Sequence, residues 1–152
     1  MGAYAPMWGL LSVMPMTLDD VIAKLRSRAQ SVPRPLPLPT PEQVEAVEAQ
    51  LGVKFPADYV RYLLTASDVV FGFIEPATVA NSAFRTHIPK VVASARAYGV
   101  PSHLLPICED NADFYCLTPS GSVEFLSHNG SANESWPDLA TWIEQVWIGE
   151  AE

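Results

Sequence analysis

The sequence predicts a single α+β domain, an antiparallel β-meander packed with several helices. Three observations predict it. Residues 38–64 carry two helix signals back to back, with a Leu51-Gly52 hinge between them. Residues 104–126 carry three short β-prone runs joined by polar turns, and an amphipathic helix follows after residue 135. Helices bracketing consecutive strands give a sheet covered by helices rather than a parallel α/β fold. At 152 residues the chain is long enough for one sizeable core, and two would be crowded.

The elements follow in order. Residues 1–16 are an apolar tail without Lys or Arg, a poor signal peptide. Either Met14 or Met16 is the true start, or the tail docks Trp8 and Leu11 on a surface. The domain is expected over 17–152. Residues 17–29 read as a helix, because Leu18, Val21, Ile22 and Leu25 recur at i, i+3, i+4 and i+7. Asp19 and Asp20 at its start and Arg26 and Arg28 at its end suit the helix dipole. Residues 33–41 place proline at every second position, which enforces an extended, polyproline-like spacer. A ligand for an aromatic groove is the lesser reading of that stretch.

Thr40 then caps a helix, with Pro41 in its first turn and Gln43 at the capping-box position. Val44, Val47 and Leu51 form its stripe, and Gly52 ends it. Phe55-Pro56 restarts the chain. Asp58 favours the next helix start, and Tyr59 and Leu63 share one face. Residues 69–74 read as a short strand. Residues 89–98 read as a helix ending at Gly99, with Val91, Val92 and Ala95 apolar. Strands are expected over 104–108, 114–117 and 123–126, with Val123 and Phe125 on one face. An acidic loop over 109–113 joins the first two, and a turn over 118–121 joins the second pair. His128-Asn129-Gly130 opens a polar loop. Ser135 is expected to cap the last helix with Asp138 at its N3 position, and Leu139, Trp142, Ile143 and Val146 to form its buried stripe. The expected core includes Leu51, Phe55, Tyr59, Leu63, Phe125, Leu139, Trp142 and Ile143. Trp136 and Trp147 fall at helix ends and are expected to be exposed.

Composition narrows the function. Hydrophobic residues are 49% and charged residues 17%, a globular rather than disordered balance. The net charge of −8 argues against nucleic acid as a partner, because phosphate binding needs clustered Lys and Arg. It suits a basic protein partner, although solubility alone also explains an acidic domain. No run approaches the ~18 apolar residues of a membrane span. Cys108 and Cys116 are the only cysteines and make no disulfide framework. Lying on adjacent strands, they either bond across them or stay as buried free thiols, the state a cytosolic chain maintains. With His103 and His128 they match no zinc spacing. No Walker loop, Gly-x-Ser-x-Gly, His-Glu-x-x-His or dinucleotide fingerprint is present. His128 near Asp110 and Asp113 would be the best hydrolytic arrangement, and a polar strand-end role suits His128 better.

A family resemblance rests on three motifs. The first is Leu51-Gly52-Val53-Lys54-Phe55-Pro56-Ala57-Asp58-Tyr59. The second pairs Leu105-Pro106-Ile107-Cys108 with Phe114-Tyr115-Cys116-Leu117. The third is the strand ending at His128 with Ser135-Trp136 and the helix of Leu139, Trp142 and Ile143. In order and spacing they resemble the SUKH superfamily, in particular its branch related to fungal cell-wall assembly regulators. Two departures stand out. The family's Asn-Gly-Gly after the Tyr59 helix is Ser67-Asp68-Val69-Val70 here, and the central loop over 109–113 lacks glycine.

The resemblance implies a non-catalytic binding protein without metal or cofactor. Bacterial members are mostly immunity proteins that neutralise toxins, often nucleases, by direct contact, and fungal members are regulatory scaffolds. The implied partner is therefore a protein, probed first at Glu109, Asp110 and Asp113. Tyr115 on a strand face open to a partner, and Asp68 and Glu75, complete the expected surface. A regulatory module binding a peptide or small ligand is the alternative. The expected location is the cytoplasm.

Overall fold

The computed structural model describes residues 16–127 and 134–151. The expectations for the N-terminal tail and for His128 lie outside the described residues. Helix α1 (Leu18–Ser27) starts where Thr17 accepts a hydrogen bond from the Asp20 N–H. It buries Val21, Ile22 and Leu25, as the spacing demands. The proline-rich spacer adopts neither helix nor strand. Pro39 is buried and Leu36 half-buried, so the spacer is packed along the body of the domain.

Helix α2 (Pro41–Leu51) begins in a complete capping box. Thr40 Oγ1 accepts from the Gln43 N–H at 3.2 Å, and Gln43 Oε1 accepts from the Thr40 N–H at 2.9 Å. Two of the helix's unpaired amide donors are thereby satisfied. Gly52 ends the helix at φ +69°, the left-handed geometry that suits glycine. The Glu48 carboxylate then accepts the Phe55 N–H at 2.6 Å and fixes the entry to α3 (Ala57–Ala66). Tyr59 and Leu63 are buried on the predicted face, with Tyr62 and Ala66 beside them. Leu51 is only half-buried, because α2 ends there and only Val44 and Val47 reach the core.

Residues 69–74 are not a strand. Gly72 at φ +63° turns the chain back, and no ladder pairs this segment. Helix α4 (Ile88–Ala97) matches its expected span within a residue and packs on β1. The sheet has the order β1-β2-β3-β4, antiparallel throughout, as the meander predicted. Its strands are β1 (Leu105–Asp110), β2 (Asp113–Leu117), β3 (Val123–Leu126) and β4 (Ser135–Trp136). The segment before α4 covers the outer edge of β1, with the Ala77 N–H donating to Ile107 O at 2.7 Å. Covering an edge removes unpaired ladder groups.

The acidic connection differs from expectation. β1 runs two residues further, a register shift between Pro106 and Cys108 moves it past β2, and Asp110 pairs directly with Asp113. Only Asn111 and Ala112 form the turn, both with positive φ (53° and 69°). Two consecutive left-handed residues match a type I′ hairpin turn, which accepts Asn first and prefers Gly second. Ala112 therefore sits where its Cβ is disfavoured. Ala112→Gly is expected to stabilise the protein by about 1 kcal/mol, the left-handed penalty less the added freedom of the unfolded chain. Urea denaturation of the two proteins checks this, and an unchanged midpoint would exclude it.

Ser135 belongs to β4, and Asp138 caps the last helix instead, its carboxylate accepting from the Thr141 N–H at 2.7 Å. That helix is not uniform. It opens as α5 (Leu139–Trp142), widens into a π-helical segment (Ile143–Ile148) and closes as α6 (Gly149–Ala151). A π-turn holds more residues per turn than an α-turn, so the buried face broadens. Ile143, Val146, Trp147 and Ile148 are all buried. Trp147 is thus a core residue rather than an exposed one. Its indole N–H donates to Phe71 O at 3.0 Å, and its ring meets Tyr62 edge-on. Trp136, on β4, is also covered, packing against Tyr115. Phe125 is only half-buried, because the expected face of β3 is covered at Val123 and thins toward its far end.

Candidate functional site

The loop over 69–74 carries the most conspicuous side chain of the surface. Phe73 is 87% exposed, whereas Val69 and Ile74 on either side are buried. The loop is anchored, not loose. The Gln30 N–H donates to Val70 O at 2.8 Å, and Trp147 holds Phe71 O. At Gly72 a Cβ would lie 2.5 Å from the Ala151 Cβ, so only glycine permits this approach to the C-terminal helix. The exposed phenyl ring is presented on a clamped turn.

Beside Phe73 lies a depression of about 340 Å³. Glu75 and Arg85 line it from one side, and Glu109, Asp110 and Asn111 from the end of β1. Glu75 and Arg85 form an ion pair. Glu109 and Asp110 make no ion pair among the described residues, although the Asn111 amide reaches Asp110 at 3.4 Å. The hairpin geometry explains their exposure: the strand outruns its helical cover, so both carboxylates project from the sheet end.

Cys108 borders the depression but is fully buried, its thiol 3.7 Å from Glu75 O. Burial, aided by the Asp110 charge, pushes its pKa up to about 12. Cys116 is raised similarly by burial, and both thiols are free. Neither has the lowered pKa of a nucleophile. The two cysteines are not cross-strand partners, since Cys108 faces Tyr115 and Cys116 faces Pro106 in the register. Among the described residues no group of three or more His, Cys, Asp or Glu side chains could hold a metal ion. No helix among them is long and apolar enough to cross a membrane.

Three of the six residues expected at a binding surface therefore meet: Glu75, Glu109 and Asp110. The other three do not join them. Asp113 is half-buried opposite Asp110. Asp68 is held by Arg26 through two contacts, at 2.6 and 3.2 Å. Tyr115 is 6% exposed, enclosed by Phe125, Trp136 and Trp142, so its strand face is core and not an open surface. Sequence reasoning missed Phe73 and Arg85. Gly72 before Phe73 was the one available signal, because an interior glycine in a β-prone run marks a bend. Nothing local marked Arg85, which reaches Glu75 from ten residues away.

The family model SUKH_5, described as SMI1-KNR4 cell-wall, matches residues 18–148. The chain belongs to this SUKH family. A crystal structure of a protein from Pseudomonas syringae pv. tomato is similar to it, with 40% identity and a TM-score of 0.82. The match covers 86% of this chain and 98% of that one. A comparison with curated proteins finds no match. In this SUKH chain, both departures from the family pattern border the loop of Phe73. Ser67, Val69 and Val70 lie on one side of Glu75, and Glu109 and Asp110 on the other.

Proposed function

We propose that this SUKH protein is a cytoplasmic immunity protein. It neutralises a toxin domain, a nuclease being the favoured class, by stoichiometric contact and without catalysis or cofactor. The observation that carries the reading is Phe73, 87% exposed on a clamped turn beside Glu75, Glu109 and Asp110. Presented on a fixed turn beside three carboxylates, Phe73 is placed to serve as an aromatic anchor of the kind that dominates interfaces. The carboxylates around it complement a basic surface, which a nuclease carries where it meets phosphate. Opposite charges also speed encounter, which matters when a toxin must be caught before it acts.

The test uses the cognate toxin domain, in stopped-flow association at low and high salt. The wild-type on-rate is expected to fall as salt rises. Glu109→Lys with Asp110→Lys is expected to lower the low-salt on-rate by about tenfold. Phe73→Ala is expected to raise the off-rate by at least about tenfold. Both variants should melt with the wild type. Wild-type kinetics in both would overturn the reading.

A further inference from the structure

A second depression opens on the other side of the Glu75–Arg85 pair. It holds about 360 Å³, some ten times the ~30 Å³ that one water takes in the liquid. Its apolar lining is Val69, Val70, Ile74, Phe84, Tyr62 of α3 and Leu36 of the proline-rich spacer. Its hydroxyls are mostly satisfied within the protein. Ser67 donates to Leu63 O at 2.6 Å, and Thr78 and Thr86 bond each other at 3.0 Å. Tyr62 adds a ring that is only 3% exposed and packs on Tyr59 and Trp147.

The two depressions share Ile74, Glu75 and Arg85. A partner seated on Phe73, Glu109 and Asp110 therefore lies across the mouth of the apolar one. We propose that this cavity is the socket for one apolar side chain of the basic partner, carried on a segment with Lys or Arg to either side. The inference rests on the acidic-face reading above and specifies its partner. Charge complementarity selects the flanking residues: Glu109 and Asp110 make no ion pair among the described residues, while the local cation, Arg85, is already held by Glu75. The lining selects the anchor, since a mostly apolar depression of this size gains most from excluding water around one inserted side chain. Glu75 and Arg85 stand between the two subsites and bind the polar atoms that bridge them.

The probes are two peptides, acetyl-Lys-Lys-Leu-Lys-Lys-amide and its counterpart with alanine in the centre, titrated into the isotope-labelled full chain and followed by NMR. Both peptides are expected to shift the amides of Glu109 and Asp110. Only the leucine peptide should shift the methyls of Val69, Val70 and Ile74, and it should bind about tenfold tighter, the worth of one buried leucine side chain. Val70→Phe, which fills the cavity, should abolish the leucine preference while sparing the alanine peptide. Equal binding of the two peptides, with no cavity methyl moving, would overturn the socket and leave the acidic face standing. No shift at Glu109 or Asp110 with either peptide would overturn the acidic face, and the socket with it. The peptide comparison needs no variant, so a misfolded substitution does not decide it.

Discussion

Replacing Trp142 by alanine is expected to cost about 3–5 kcal/mol of stability, the range for large aromatics in cores. Trp142 is 1% exposed and packs its ring on Tyr115 at 5.3 Å between centroids. It is the last residue of α5 before the π-helical segment, so its cavity would lie where helix and sheet meet. The surrounding backbone is pinned there by the Asp138 cap and by Trp147, which limits collapse around the void. Trp142→Phe should cost far less. Its indole N–H is buried without a partner among the described residues, so phenylalanine keeps most of the ring and removes a donor that has no acceptor there. Chemical denaturation of all three proteins checks both statements. A loss below about 1 kcal/mol for alanine would place Trp142 outside the core.

Arg96→Met is expected to cost about 2–3 kcal/mol, at the scale of charged hydrogen bonds that leave acceptors unpaired. Arg96 is in the last turn of α4, and its guanidinium reaches four carbonyls of the loop that leads to β1. The distances are 2.8 Å to Pro101 O, 2.9 Å to Leu104 O and 3.3 Å to Val100 O and Ser102 O. One planar fork thus closes the helix and holds the loop that sets β1 in place. Methionine retains the apolar stem, so the loss isolates the fork. Lysine offers a single charged nitrogen and should recover less than half of it, because it cannot bond two directions at once. Thermal melts of Arg96→Met and Arg96→Lys give the comparison, and equal stability of lysine and arginine would refute the role of the fork.

Much of the fold was legible because local chemistry is decisive where it is strong. The Thr40–Gln43 capping box, the Gly52 stop and the α1 stripe involve residues within one or two helical turns, and each formed as read. The hairpin strands were legible from alternation, though not their ends. The acidic run looked like a loop because four polar residues around one alanine resemble a turn. The bulge that carries β1 past β2 depends on the pairing partner, which sequence spacing does not display. The candidate site was legible in part for the same reason. Carboxylates can be counted in a sequence, but Glu75 meets Glu109 only because the segment before α4 lies along the edge of β1.

The sequence by itself determined the α+β class, the order of α1 to α4 and of β1 to β3, the family and the acidic character. Those follow from periodicity, capping and composition, which act over a few residues or sum over all of them. Phe55, Tyr59 and Trp142 are buried as their periodicity predicts, but tertiary structure decided the fate of the other aromatics. Trp147 turns inward through a π-segment, Tyr115 is roofed by Trp136 and Trp142, and Phe73 is held outward by a Gly72 turn pressed on Ala151. An aromatic ring gains as much against a core as against a partner. Its local sequence does not say which, because the difference lies in neighbours brought from distant parts of the chain.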